Sequence, residues 1–241
     1  MPAAVGRPDT SAACGGGSPI RPACIRMKID RAGIPFIAGA VAFAALLSWL
    51  NLAWMPGGIF WLLAAAFTFF FRDPERREPA DAGLHAVLAP ADGRILHAGP
   101  AEAATAPAGS WQQVSIFLSP LDVHVNRTPI GGRVLEVTHS RGRFLPAYDR
   151  RSGAENERSE VRLDHAGQTV IFRQVVGVLA RRVVCRLTPG MNVARGQRFG
   201  IMKFGSRMDV FLPASAALAV AVGETVRGGE TVVARLAEGG N

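Results

Sequence analysis

Charge is missing from one long stretch of this chain. Between Ala32 and Phe71 every position is apolar or neutral. At 1.5 Å per residue, about 40 helical residues reach roughly 60 Å, two crossings of a hydrocarbon core of roughly 30 Å. "NLAWMPGG" (Asn51–Gly58) breaks the run with Pro56, Gly57 and Gly58. The pattern predicts a hydrophobic helical hairpin with segments Gly33–Trp54 and Gly58–Phe71. The first is long enough to span a bilayer. The second is short and would span only by thinning the bilayer or borrowing flanking residues. Trp49, Trp54 and Trp61 surround the turn, where interfacial aromatics belong. Arg26, Lys28 and Arg31 precede the hairpin, and Arg72, Arg76 and Arg77 follow it. The turn has no basic residue, so the positive-inside rule puts both flanks on the cytoplasmic side of a cell membrane. A hairpin buried in a soluble core is the competing reading, but it needs fewer uncharged residues than these.

The texture changes after Phe71. "DPERREPADAG" is a polar linker. Short β-branched runs separated by glycine follow, among them "HAVLAPADGRILHAG", "SWQQVSIFLSP", "SEVRLDHAGQTVIFRQVVG" and "QRFGIMKFG". "DHAGQTVIF" and "VGETVRGGETVVA" look like turns joining antiparallel strands. No long amphipathic helix interrupts them. Residues 79–241 are therefore expected to form a mostly β, antiparallel domain, a sandwich or barrel. Residues 27–78 hold the hairpin and linker. The loop Arg141–Arg158 is long and charged, which marks a functional or mobile segment. Residues 1–26 are rich in Gly, Pro, Ala and Ser without periodicity and read as a disordered leader. Met27 opens "MKIDRAGIPF" and would make a natural start, so an over-called start codon is the alternative.

Composition narrows the partners. The net charge is +8, carried mostly by arginine. That suits an anionic partner, either a phosphate-bearing substrate or an anionic membrane surface. No zinc-finger, basic-zipper or aromatic RNA-binding signature is present, so nucleic acid is not expected. Cys14, Cys24 and Cys185 are widely spaced and form no CxxC, implying neither a zinc site nor a disulfide framework. No metal is expected.

The candidate chemistry begins at "GIMKFGSRMDVFLP", Gly200–Pro213. Gly205 and Ser206 interrupt a strand pattern that "RMDVFLP" resumes, and a strand interior is a poor place for glycine. A turn serine is the ordinary explanation. Elsewhere the chain supplies groups fit to activate a hydroxyl. Asp92 lies in "APADGRI", where Asp-Gly is also a strong hairpin signal. His124 lies in "FLSPLDVHVNRTPI" among Ser119, Asp122, Asn126 and Arg127. A satisfied histidine on a strand face is its bland reading. Together Asp92, His124 and Ser206 are the types that an orienter, a base and a nucleophile require. A lipid-acting serine hydrolase fits these residues, although the G-x-S-x-G elbow is absent. A lipoyl- or biotinyl-like carrier module, with Lys203 as the modified residue, is a second alternative.

"KFGSRMDVFLP", "APADGRI", "SPLDVHVNRTP", "GAENERS" and "VVGVLARRVVC" occur in the order found in the short prokaryotic form of phosphatidylserine decarboxylase, and the chain resembles that family over residues 27–236. The resemblance implies a membrane-bound, pyruvoyl-dependent enzyme that converts phosphatidylserine to phosphatidylethanolamine and CO2. It implies self-cleavage between Gly205 and Ser206, giving a large chain 1–205 and a small chain 206–241. Ser206 would become the pyruvoyl group, which would form a Schiff base with the substrate amine. His124, held by Asp92, would serve as base and then as the acid that protonates carbon. A homo-oligomer is compatible with it.

One departure stands out. Longer family members carry H-x-x-H where this chain has "HVNR", so Arg127 occupies the place of a histidine associated with self-cleavage. Asn126, Arg127, Arg158 and Arg182 lie in family-like motifs and are candidates for binding the substrate's phosphate and carboxylate. Arg181 shares that motif, and solvated or membrane-facing charge is the competing reading for these arginines. Asn156 and Glu157 read as a loop lock or a buried ion pair.

Overall fold

The computed structural model describes residues 27–50, 54–178, 183–203 and 205–238. The leader 1–26 lies outside them. The chain opens with a short strand, β1 (Met27–Ile29), and one 3-10 turn, Arg31–Gly33, capped by the Asp30 carboxylate. Two apolar helices follow, α1 (Ile34–Trp49) and α2 (Trp54–Phe70). Then come β2 (Arg72–Pro74), β3 (Ala86–Leu88), β4 (Gly93–Pro100), β5 (Trp111–Leu118), β6 (Val125–Arg127) and β7 (Gly132–Ser140). A single helical turn, α3 (Ser152–Glu155), precedes β8 (Arg158–His165) and β9 (Gln168–Val175). The remainder is β10 (Val183–Cys185), β11 (Asn192–Val193), β12 (Arg198–Met202), β13 (Ser206–Pro213), β14 (Ala217–Leu218), β15 (Thr225–Val226) and β16 (Val232–Arg235).

The expected hairpin is present, but α2 begins earlier than the sequence pattern suggested. Pro56 falls in its first turn, where a missing N–H breaks no helical hydrogen bond. The two helices meet through small residues, with Ala40, Ala44 and Ala64 buried between them. Phe43 stacks on Phe60 with ring centroids 5.4 Å apart. The outer faces are apolar and exposed, including Phe43, Leu46, Trp49, Trp61 and Leu62. Among the described residues one helical stretch, Arg31–Trp49, is long and apolar enough to cross a membrane; Gly57–Phe70 is shorter.

The rest is an antiparallel sandwich in which no sheet closes into a barrel. An eight-stranded sheet has the order β11-β7-β8-β9-β13-β5-β4-β15. Two three-stranded sheets, β10-β12-β6 and β14-β16-β3, pack against it. Side chains alternate along each strand, so Met208, Val210 and Leu212 of β13 join Val114, Ile116 and Leu118 of β5 on the core face. Phe172 of β9 meets Phe199 of β12 edge-on at 5.0 Å, joining the two layers. The turn in "DHAGQTVIF" forms as the sequence suggested: Ala166 and Gly167 have φ of 49° and 82°, as a two-residue hairpin turn needs. "VGETVRGGETVVA" does not form a hairpin of its own. Its strands β15 and β16 pair with β4 and β3, in different sheets.

A second, smaller core joins the hairpin to the sandwich. Phe70, the last residue of α2, and Phe71 just after it pack with Val123, Val125 and Ile201. Ion pairs fasten the same junction. Arg186 donates to both oxygens of Asp30 at 2.8 and 3.0 Å. Asp73 of β2 accepts from Arg127 at 2.9 Å and also pairs with Arg198.

Candidate active site

Gly205 and Ser206 stand at the entrance of β13. Gly205 has φ of +64°, a conformation that costs most residues about 1–2 kcal/mol and glycine nothing. A side chain there would meet no neighbour among the described residues, so conformation rather than crowding asks for glycine. Ser206 pairs with Leu118 of β5 and shares the core-facing side of the sheet with Met208. It is fully buried, and its Oγ has no hydrogen-bond partner among the described residues. A buried hydroxyl without a partner costs about 1–3 kcal/mol, an expense usually tolerated at sites of function or strain. On the opposite face of β13, Arg207 donates to Asp209 at 2.6 Å and to Ser115 at 3.0 Å, all three buried. This network anchors the strand on which Ser206 stands. Beside Gly205 opens a largely apolar cleft of about 180 Å³, lined by Phe117, Pro120, Pro146, Ala147, Tyr148 and Val178.

His124 sits just before β6. Its Nδ1 lies 2.9 Å from the main-chain oxygen of Asp122. A carbonyl only accepts, so Nδ1 carries the proton and Nε2 holds the lone pair. Nε2 is buried with no partner among the described residues. Burial is the main cause that drives the His124 pKa down to about 4; the Asp122 carbonyl opposes the shift and the Arg72 charge adds to it. The imidazole is thus neutral at pH 7, with a free basic nitrogen. The Asp122 carbonyl is itself held in a closed turn, because Ser119 N–H donates to the Asp122 carboxylate at 2.7 Å. Met202 N–H donates to the His124 carbonyl at 3.3 Å, which ties the histidine to the strand leading through Lys203 towards Gly205.

Asp92 does not hold His124. Its Oδ2 accepts from Arg76 at 2.6 Å and its Oδ1 from the Gly228 N–H at 2.8 Å. Burial raises its pKa, with Arg76 opposing. The expected orienting contact is supplied instead by the main chain of Asp122. Sequence patterns cannot signal that arrangement, because every residue carries a carbonyl. Arg127 is turned away from solvent: it donates to Asp73, to the Pro74 carbonyl at 3.1 Å and to the Gly196 carbonyl at 3.2 Å. It fastens β6 to the segment after the hairpin. Asn126 is buried, and its Oδ1 accepts from Gln174 at 2.8 Å. Arg158 donates to the Ala154 carbonyl at 2.6 Å, inside the long loop. Arg181 and Arg182 lie outside the described residues. Lys203 places its ammonium 4.7 Å from the ring centroid of Phe36, against the base of the hairpin. A carrier lysine would project from an exposed turn.

Three residues not singled out from the sequence contribute to this region. Phe70 of α2 packs its ring 4.2 Å from that of His124. Arg72 donates to the Leu121 carbonyl at 2.7 Å and adds positive charge near the imidazole. Gly177 lies against the carbonyl of Gly205, so closely that a side chain there would collide with it. Gly177 is visible in the sequence through its place in "VVGVLARRVVC", and Arg72 only as a charge flanking the hairpin. Asn156 behaves as the expected loop lock: its side chain bonds the main chain of Leu145 and Val176.

Comparison with known proteins gives one consistent answer. The family model described as phosphatidylserine decarboxylase matches residues 63–234. A protein of Prosthecochloris aestuarii named phosphatidylserine decarboxylase proenzyme is 46% identical over 176 residues, covering 73% of this chain and 80% of the relative. Proteins of the same name from Geobacter metallireducens and Nitrosomonas europaea are 42% and 43% identical. Those matches cover 85% and 86% of this chain and 94% of each relative.

Proposed function

The chain belongs to the phosphatidylserine decarboxylase family, and from that premise we propose that it is a self-processing proenzyme whose mature form makes phosphatidylethanolamine and CO2 from phosphatidylserine. The observation that carries the reading is the buried Ser206 Oγ, without a hydrogen-bond partner among the described residues, directly after a left-handed Gly205.

Processing uses this chain's own atoms. Ser206 Oγ loses its proton to a base and attacks the Gly205 carbonyl carbon. The C–N bond breaks as a C–O bond forms, so an amide becomes an ester. Loss of the Ser206 α-proton expels the Gly205 carboxylate and leaves dehydroalanine. Water then replaces the nitrogen, which departs as ammonia, and a pyruvoyl group remains at the start of the small chain. His124 is the proposed base, because its Nε2 lone pair has no partner among the described residues and its Nδ1 proton is held by the Asp122 carbonyl.

The residues around Ser206 fit such a group. It would be carried covalently on β13, stiffened by the Arg207–Asp209 network, and reached through the cleft beside Gly205. The pyruvoyl group supplies an electron sink for the pair left behind when CO2 departs. In that step His124 would hold a proton near the reacting carbon, and the apolar cleft would limit water. The hairpin would keep the enzyme on an anionic bilayer, with the sandwich on the cytoplasmic side.

Intact mass after denaturation tests the reading. Two fragments, residues 1–205 and 206–241, are expected, the smaller beginning with a pyruvoyl group. A single unmodified chain would refute it. Ser206→Ala should stay whole.

A further inference from the structure

Gly177 and Gly205 are glycines for opposite reasons. Gly205 needs its unusual φ and has open space around it among the described residues. Gly177 is not among the positive-φ glycines, so its backbone would accept a side chain. Space forbids one. A methyl group at Gly177 would overlap the Gly205 carbonyl oxygen, lie 3.0 Å from the carbonyl carbon and lie 3.4 Å from Ala147 Cβ. The main chain at Gly177 is therefore seated against the carbonyl that processing would attack.

That seat is clamped. Gly177 follows β9, whose Val175 pairs with Arg158 of β8 and Arg207 of β13. The Val176 N–H donates to the Glu157 carbonyl at 3.1 Å, and the Val176 carbonyl accepts from Asn156 Nδ2 at 2.8 Å. The same Nδ2 donates to the Leu145 carbonyl, and Asn156 Oδ1 accepts from the Leu145 N–H at 2.9 Å. Asn156 is wholly buried. One side chain thus binds the loop carrying Ala147 to the segment carrying Gly177, and both meet at Gly205.

We propose that Gly177, clamped by Asn156, is a positioning residue for self-cleavage, fixing the Gly205 carbonyl for attack by Ser206. The proposal rests on the self-processing reading. Attack turns a planar carbon tetrahedral, and a rigid neighbour that keeps the oxygen from swinging away holds the carbon at the approach angle Oγ needs. Displacing the carbonyl by about 1 Å is expected to slow such a step about 100-fold.

The test follows processing of the full chain by intact mass in wild type, Gly177→Ala, Asn156→Asp and Ser206→Ala. Asn156→Asp keeps an acceptor for Leu145 but loses both side-chain donors. Gly177→Ala should process about 100-fold more slowly, and Asn156→Asp should be slowed in the same direction. Neither should accumulate an ester at Gly205 that neutral hydroxylamine cleaves, because the block precedes ester formation. Gly177→Ala combined with Ser206→Ala should unfold at a somewhat lower temperature than Ser206→Ala alone, because the methyl group displaces a main-chain oxygen, but in one cooperative transition, which separates positioning from loss of fold. If that transition is lost, Asn156→Asp decides. Processing at the wild-type rate, or build-up of hydroxylamine-sensitive ester, overturns the proposal. Absence of cleavage in the wild type would instead overturn the self-processing reading.

Discussion

The ring of Phe70 lies 4.2 Å from the ring of His124, so the last turn of the apolar hairpin forms one wall of the candidate active site. The hairpin is therefore more than an apolar appendage joined by a linker. Its end is packed into the sandwich through Phe70 and Phe71, and it contributes to the burial that keeps His124 neutral. The proposed membrane anchor and the proposed base thus share a side-chain contact.

Replacing Phe70 with Ala removes that wall and admits water to the imidazole. The His124 pKa should rise from about 4 towards its usual 6.5. The acid limb of the pH–rate profile for processing should move upwards with it, because protonated His124 is no base. Titration of the His124 ring by NMR measures the first effect, and processing rates between pH 4 and 8 measure the second. An unchanged midpoint would show that Phe70 does not set the state of His124. The cavity should also lower stability by about 3–5 kcal/mol.

Folding itself should depend on pH through His124. The folded state holds this pKa at about 4, below the value near 6.5 of an unfolded chain. Between these values the unfolded chain binds a proton that the folded one refuses. Stability from this group is thus complete above about pH 6.5 and declines as pH falls towards 4, by on the order of 3 kcal/mol. Below that it levels off. Urea unfolding of the Ser206→Ala chain, with and without His124→Gln, isolates the effect. The difference between the two should carry this slope, and a flat difference would contradict the burial argument.

Arg127 invites a direct test of the departure from H-x-x-H. In the structure this position faces Asp73, Pro74 and Gly196. Restoring histidine by Arg127→His should therefore not speed processing. It should leave Asp73 with Arg198 as its remaining charge partner and cost roughly 3 kcal/mol, the scale for breaking a buried pair. Denaturant midpoints and processing rates measured on the same variant check both parts. Faster processing would mean that the side chain at 127 reaches the scissile bond.

The parts of this molecule that were legible in the sequence are those with local causes. The charge-free run announced two helices, and the Ala166–Gly167 turn followed from its own backbone preferences. α2 starts at Trp54 rather than at the expected Gly58, because proline breaks a helix only after its first turn. The glycines of "VGETVRGGETVVA" suggest a hairpin turn. Its strands in fact pair with β4 and β3, more than a hundred residues away, and no local pattern records such partners. The site divides in the same way. Gly205–Ser206 was visible as an interruption within a strand, and His124 as a polar cluster. The Asp122 carbonyl and the Phe70 wall are not, and "VVGVLARRVVC" marks Gly177 without showing its seat against Gly205, since each contact arises from main-chain atoms or long-range packing.

Removing the hairpin should therefore do more than detach the protein from lipid. A chain beginning at Arg72 loses Phe70 and Phe71 from their core with Val123, Val125 and Ile201. It also loses Asp30 as the partner of Arg186. His124 would then face water where Phe70 stood. Processing of this truncated chain is expected to fall at least about tenfold below that of the full chain in the same detergent. The full chain should process in detergent without any bilayer. Intact mass over time, on equal amounts of soluble protein, reads both rates. If the truncated chain cut itself as fast as the full one, the hairpin would be an anchor alone, and the Phe70–His124 contact would be incidental to the chemistry.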